Sequence, residues 1–207
     1  MAHSEQLDKY LKLARRAREE DNTEDAKKYY DMARTEDADN MEAKFFYSYY
    51  KLMDGTKGEA YGAYMNLCKG LSTIVRDISE SDDSDEEKCK LLSDICVNFS
   101  TLPLFINRIL NELNKGNNNH LSEIRSSGKA GMIALYCLGD DVAKYFGNKE
   151  QFMKVAAEFW KAGVYRQQQW YGMGVDKTYP EIYTAKIQKI DPSYIMPKKA
   201  GCISFAK

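Results

Sequence analysis

Leu7–Asn40 reads LDKYLKLARRAREEDNTEDAKKYYDMARTEDADN, and its periodicity decides the fold class. Leu7, Tyr10, Leu11, Ala14 and Ala17 recur at three- and four-residue steps, which puts them on one face of a helix. Ala26, Tyr29, Tyr30 and Ala33 repeat the pattern after a polar break, Glu19-Glu20-Asp21-Asn22. Asn22 or Thr23 suits the cap of the second helix, and Glu24 and Asp25 suit its positive N-terminal end. The stretch therefore predicts an antiparallel helical hairpin.

The same reading extends over the rest of the 207 residues, with four prolines and no convincing period-two alternation. The fold class is all-α. Asn40 is placed to cap a third helix, Met41 to Met53, whose centre is the aromatic run Phe45-Phe46-Tyr47-Ser48-Tyr49-Tyr50. A fourth helix covers about Lys57 to Ile78, with Ala60, Tyr64, Leu67 and Leu71 on its inner face. Ser79–Glu87, SESDDSDEE, is an acidic break; it lacks the central Gly and the ligand spacing of a calcium loop. The following expectations are a helix over Glu86–Ser100, another from Pro103 to Lys115, and a loop at Gly116–Asn119. A helix then starts at Leu121, with a break near Gly139-Asp140-Asp141 and a short turn to Phe146. Lys149–Tyr171 carries Phe152, Val155, Ala156, Phe159, Gly163, Arg166 and Trp170 at helical steps. A last helix covers about Pro180–Ile190, and an extended tail follows. The expected units are hairpins over 1–80, a helical region over 81–190 packed on them, and the tail over 191–207.

The first hairpin resembles a tetratricopeptide repeat. Tyr10, Leu13, Ala14 and Ala17 fall at that family's helix A positions, and Ala26, Tyr30 and Ala33 at its helix B positions. Small residues belong there because helices approach closely only where side chains are short. Ala17 replaces the usual aromatic and Ala38 the usual terminating Pro. Shifting by the repeat period of about 34 residues maps Ala26 onto Ala60, Tyr30 onto Tyr64 and Ala33 onto Leu67. The second helix A matches poorly, and no third repeat is detectable. The resemblance covers about the first third of the chain. It implies tetratricopeptide-like hairpins continuing into a C-terminal helical bundle, and a groove lined by Leu11, Arg15, Arg18, Phe45, Tyr49 and Met53. The tail segment DPSYIMPKKAGC is similar to one in uncharacterised bacterial proteins, where it follows a tetratricopeptide-like region and leads into a Gly-Cys segment. That likeness implies a bacterial or phage origin.

Composition excludes several functions. A net charge of −1 gives no global field for nucleic acid or membrane. No apolar run approaches the length of about 18 residues that spans a bilayer. The N-terminus has no apolar signal core, so a cytoplasmic location is expected. His3 and His120 are the only histidines, too few for a zinc or di-iron site or for a Cys-His nucleophile of ready assembly. Cys89, Cys96 and Cys137 sit on apolar stripes, while Cys202 lies in a Lys-flanked stretch. Ser126–Gly131 lacks the earlier Gly and the hydroxyl after Lys129 that a phosphate loop needs. Gly172-Met173-Gly174 reads as a helix stop. From Lys144 to Lys207 there are 11 Lys/Arg against 5 Asp/Glu, interleaved with aromatics that helical spacing assigns to the core.

The function these features favour is a protein–protein interaction module or adaptor. Arg15 and Arg18 beside Phe45, Tyr49 and Met53 would suit an acidic or C-terminal peptide with an apolar anchor. The alternative is a helical binder of a nucleotide or other small ligand between the two regions. No enzyme chemistry, cofactor, metal or nucleic-acid partner is expected. The five cysteines include no CxxC pair, so the denatured, unreduced protein should show five titratable thiols and no stoichiometric zinc. Fewer thiols, or zinc by elemental analysis, would contradict this.

Overall fold

A computed structural model describes residues 4–54, 57–113, 121–147, 149–169 and 174–199. Within them the chain is helical and contains no strand. The helices are α1 (Glu5–Glu19), α2 (Thr23–Glu36), α3 (Met41–Asp54), α4 (Lys57–Glu80), α5 (Asp85–Leu113), α6 (Leu121–Phe146), α7 (Glu150–Gln169) and α8 (Tyr179–Gln188). His3, His120, the Gly116–Asn119 loop, Trp170 and Cys202 lie outside the described residues.

The ends of the first helices follow from single side chains. Ser4 Oγ accepts from the Leu7 amide and opens α1. Asp21 takes a left-handed conformation at φ 54°, while Asn22 N–H and Asp21 N–H return to the carbonyls of Ala17 and Arg18. That pair of bonds stops α1 and turns the chain through the polar break. Asn22 then caps α2 through Asp25 N–H, and Asn40 caps α3 through Ala43 N–H, as their positions predict. Hairpins α1–α2 and α3–α4 result, with Ala14, Ala26 and Ala33 fully buried where helices meet. Tyr30 stacks on Phe46 at 5.1 Å.

The acidic break contracts to a turn between α4 and α5. Ser84 and Glu87 exchange hydrogen bonds as a capping box at the start of α5. The buried Lys88 ammonium donates to the carbonyls of Ser79 and Ser81, at 3.2 and 2.6 Å, and so closes α4. Buried residues on both sides of this turn, Ile78 and Leu92 among them, belong to one continuous core.

Three expectations need correction. First, α5 is a single helix through Pro103, not two. Proline removes an amide donor and crowds the preceding turn. Here the ring is buried against α6, and neighbouring polar groups engage carbonyls in the same turns. Ser100 Oγ and Thr101 Oγ1 bond to the carbonyls of Val97 and Asn98, and the Arg166 guanidinium of α7 donates twice to the Ser100 carbonyl. Second, α6 runs unbroken through Gly139-Asp140-Asp141. Gly139 is there because Trp160 lies directly on its Cα, and the indole Nε1 donates to Asp140 Oδ1 at 3.1 Å. Third, by length and composition α5 is apolar enough to cross a membrane. In this fold it packs against α4, α6 and α7, with 39% of that apolar window buried.

The C-terminal helices assemble around close contacts. Gly131 of α6 receives Tyr64 of α4 and Pro103 of α5, and Gly163 of α7 receives the ring of Tyr136. Helices α5 and α7 run in the same direction: Asp85 meets Lys149, Cys89 meets the Gln151 carbonyl, and Ser100 meets Arg166. Tyr183 of α8 stacks on Tyr136 at 4.1 Å and donates to Asp140, which also accepts from Lys186. After α8, residues 191–199 form no helix or strand, as expected, yet Tyr194 and Met196 pack on the core.

Glycine substitutions separate these roles. A Cβ at Gly139 would meet Trp160 and come within 2.9 Å of the Ala156 carbonyl oxygen, so Gly139→Ala should lose about 1–3 kcal/mol. At Gly70 of α4 nothing lies within 4 Å, so Gly70→Ala should gain about 0.5–1 kcal/mol. Urea denaturation of both variants checks the signs; equal effects would contradict the packing described.

Candidate docking surfaces

The groove implied by the repeat resemblance is built from α1 and α3. Helix α1 places Leu11, Arg15 and Arg18 along one side, and α3 places Phe45, Tyr49 and Met53 along the other. Leu11 and Phe45 are buried in the core, while Tyr49 and Met53 pack partly against it. Phe45 stacks on Tyr49 at 6.2 Å.

The two arginines are engaged within the chain. Arg15 grips the Glu42 carboxylate with two nitrogens, its Nε lying 2.9 Å from Oε1. The hydrogen bond to Glu42 raises the Arg15 pKa above its ordinary value. Glu42 is itself buried and accepts from the Tyr30 hydroxyl at 3.1 Å. Burial, and secondarily the Glu42 charge, raises the Tyr30 pKa, so the hydroxyl stays protonated and donates. Arg18, with a side chain only 18% exposed, donates to Asp94 of α5 at 2.7 Å and lies 4.3 Å from the Phe46 ring centroid. Phe46, one position from the expected Phe45, is thus the aromatic partner. Neither arginine pairs with Glu19 or Asp21, the nearest acids in sequence. What the sequence offers as peptide-binding cations the structure uses to tie α1 to α3 and α5.

A second concavity, of about 590 Å³, lies where α1, the α2–α3 connection and the α4–α5 turn meet. Glu36, Asp37, Asp39, Asp77, Asp82 and Asp83 are among its lining residues. Its sign is opposite to what an acidic peptide requires. Among the described residues no group of His, Cys, Asp and Glu is arranged to hold a metal ion.

A third concavity, of about 380 Å³, is a groove between the parallel helices α5 and α7. Cys96 and Val97 of α5 line it on one side, and Val155, Ala162, Tyr165 and Arg166 of α7 on the other, together with the ion-paired Glu158 and Lys161. Val97 is 67% exposed and Tyr165 47%; Leu104, two turns beyond Val97 on α5, is 48% exposed. These are three of the large apolar side chains that the fold leaves facing solvent. The Cys96 thiol, pushed up to about 12 by burial, is an apolar wall and not a nucleophile at neutral pH. Burial likewise raises Cys68 to about 12 and lifts Cys89 and Cys137 above the usual thiol range. The sequence carries a trace of this groove: Arg166 is the one charged residue in the apolar stripe of α7. The exposed side of α5 is not legible there, because Val97 and Leu104 are apolar like their buried neighbours.

Tyr64 of α4 and Pro103 of α5 close on Gly131 of α6 inside the core. Compared with protein families, with curated proteins and with solved structures, the chain finds no match.

The engagement of Arg15 and Glu42 has a measurable consequence. Glu42→Ala strands both Arg15 and the buried Tyr30 hydroxyl and should cost about 2–4 kcal/mol. Glu42→Gln keeps an acceptor for Tyr30 and should cost less. Arg15→Ala, at a side chain 48% exposed, should cost about 1 kcal/mol. Denaturant midpoints rank the three; a neutral Glu42→Ala would show that the contact is dispensable.

Proposed function

We propose that this chain is a protein–protein interaction module, a tetratricopeptide-like helical adaptor of a reducing cytoplasm, and that its docking surface is the α5–α7 groove. The observation that supports this reading is the pair of solvent-facing apolar side chains, Val97 and Tyr165, that line the groove on two helices running parallel, with exposed Leu104 two turns beyond Val97 on α5. Single exposed apolar side chains are ordinary, but apolar side chains gathered around a groove suit a partner surface. The groove is interhelical, which suits the apolar stripe of a partner helix set at three- and four-residue steps. The α1–α3 surface is less suited, because its arginines already have carboxylate partners in the chain.

Site-directed photocross-linking in the native host tests this. A photoreactive side chain at Val97 or Tyr165 should give a discrete protein adduct, and one at exposed Glu24 of α2 should give none. Equal labelling at all three positions, or adducts only at Glu24, would remove the α5–α7 groove as the docking surface.

A further inference from the structure

Arg166 differs from the other buried or half-buried arginines of this chain. Arg15 faces Glu42 and Arg18 faces Asp94. Arg166 has no carboxylate within the described residues: its Nε and Nη2 both donate to the Ser100 carbonyl, at 3.2 and 2.8 Å. Among the described residues, the other groups bearing on its charge are the phenols of Tyr165 and Tyr64. Burial pulls its pKa below the usual arginine value, which is the response of a cation taken from water without a counter-ion. The nearby acid does not supply one. Glu158 is paired with Lys161 at 2.9 Å, and Lys161 is also bonded to Asp191.

A guanidinium lining a mostly apolar groove, beside a half-exposed tyrosine, is a recognition site for an anion, because the Glu158 and Lys161 that also line the groove are paired with each other. An incoming carboxylate would find a donor already fixed by the Ser100 carbonyl, and Val97, Ala162 and Tyr165 would receive the apolar residues beside it. We infer that the groove takes an acidic amphipathic helix, with an Asp or Glu flanking its apolar stripe that pairs with Arg166. The inference rests on the docking role proposed for this groove and adds the partner's chemistry. A basic helix is disfavoured because it would place a second cation against one that has no counter-ion. A charge-assisted pair in a partly water-excluded groove is stronger than one on an open surface, and truncating it shows directly in affinity.

The probe is a phage-displayed library of helical peptides of about 16 residues, with a fixed leucine stripe and randomised flanks, selected on the full chain. Peptides that depend on the groove are identified by loss of binding to the Val97→Asn/Tyr165→Ser double variant. They should carry Asp or Glu beside the stripe. Replacing that acid by its amide should weaken binding about tenfold to the unsubstituted chain, less to Arg166→Lys, and not at all to Arg166→Gln. Circular dichroism verifies that each variant is folded, and Arg166→Lys keeps the test decisive if Arg166→Gln is not. Groove-dependent peptides without acid enrichment, or an amide effect that persists in Arg166→Gln, would overturn the inference and leave the docking role standing. An absence of groove-dependent peptides would overturn both. So would binding to phosphatidylglycerol-containing vesicles that the double variant abolishes, since a membrane would then be the occupant.

Discussion

The contact between Arg166 and the Ser100 carbonyl joins the fold to its candidate site. Pro103 takes one amide donor out of the middle of α5, and a long helix tolerates such a gap only if its surroundings hold it. Pro103 is wedged against Gly131, so α5 cannot shift toward α6. On the other side α7 reaches across with a guanidinium and fixes the turn before the proline. The parallel course of α5 and α7 follows this line of contacts, and so does the groove between them. The same residue that steadies the helix has no carboxylate partner among the described residues, and the acidic partner proposed for the groove rests on that charge.

The N-terminal half obeys the opposite rule. There Arg15 and Arg18 each have an acid supplied from another helix, and the pairs hold α1 to α3 and to α5. The buried Glu42 is shared between Arg15 and Tyr30, so the aromatic packing of Tyr30 on Phe46 depends on a charged group remaining in place. Such a surface is well suited to fix helix order and poorly suited to capture a free carboxylate, because a ligand would first have to displace Glu42 or Asp94.

Much of the fold was legible because helix ends are local events. Asn22 and Asn40 cap where their positions suggest, and Phe45, Phe46 and Tyr50 of the aromatic run in α3 are buried while Tyr47 and Tyr49 are partly so. The errors arose where a local stop signal was overruled by a distant partner. Pro103 and Gly139 both read as breaks, and both lie inside helices because Gly131, Arg166 and Trp160 meet them in space. The site was less legible for the same reason. Arg15 and Arg18 are adjacent to aromatics in a family-like pattern, but their partners Glu42 and Asp94 lie 27 and 76 residues away. Arg166 is a charge among apolar residues in the α7 stripe, and what sets it apart in space is that no carboxylate among the described residues pairs with it.

The most direct measurement is a double-mutant cycle between Arg166 and the acid of a groove-binding peptide, Arg166→Gln in the chain against the acid-to-amide change in the peptide. If the carboxylate sits on the guanidinium, the two changes are not additive and the coupling is about 1–3 kcal/mol. Additive losses, with coupling near zero, would place the acid elsewhere and contradict the assignment of Arg166 as the charge that selects the partner.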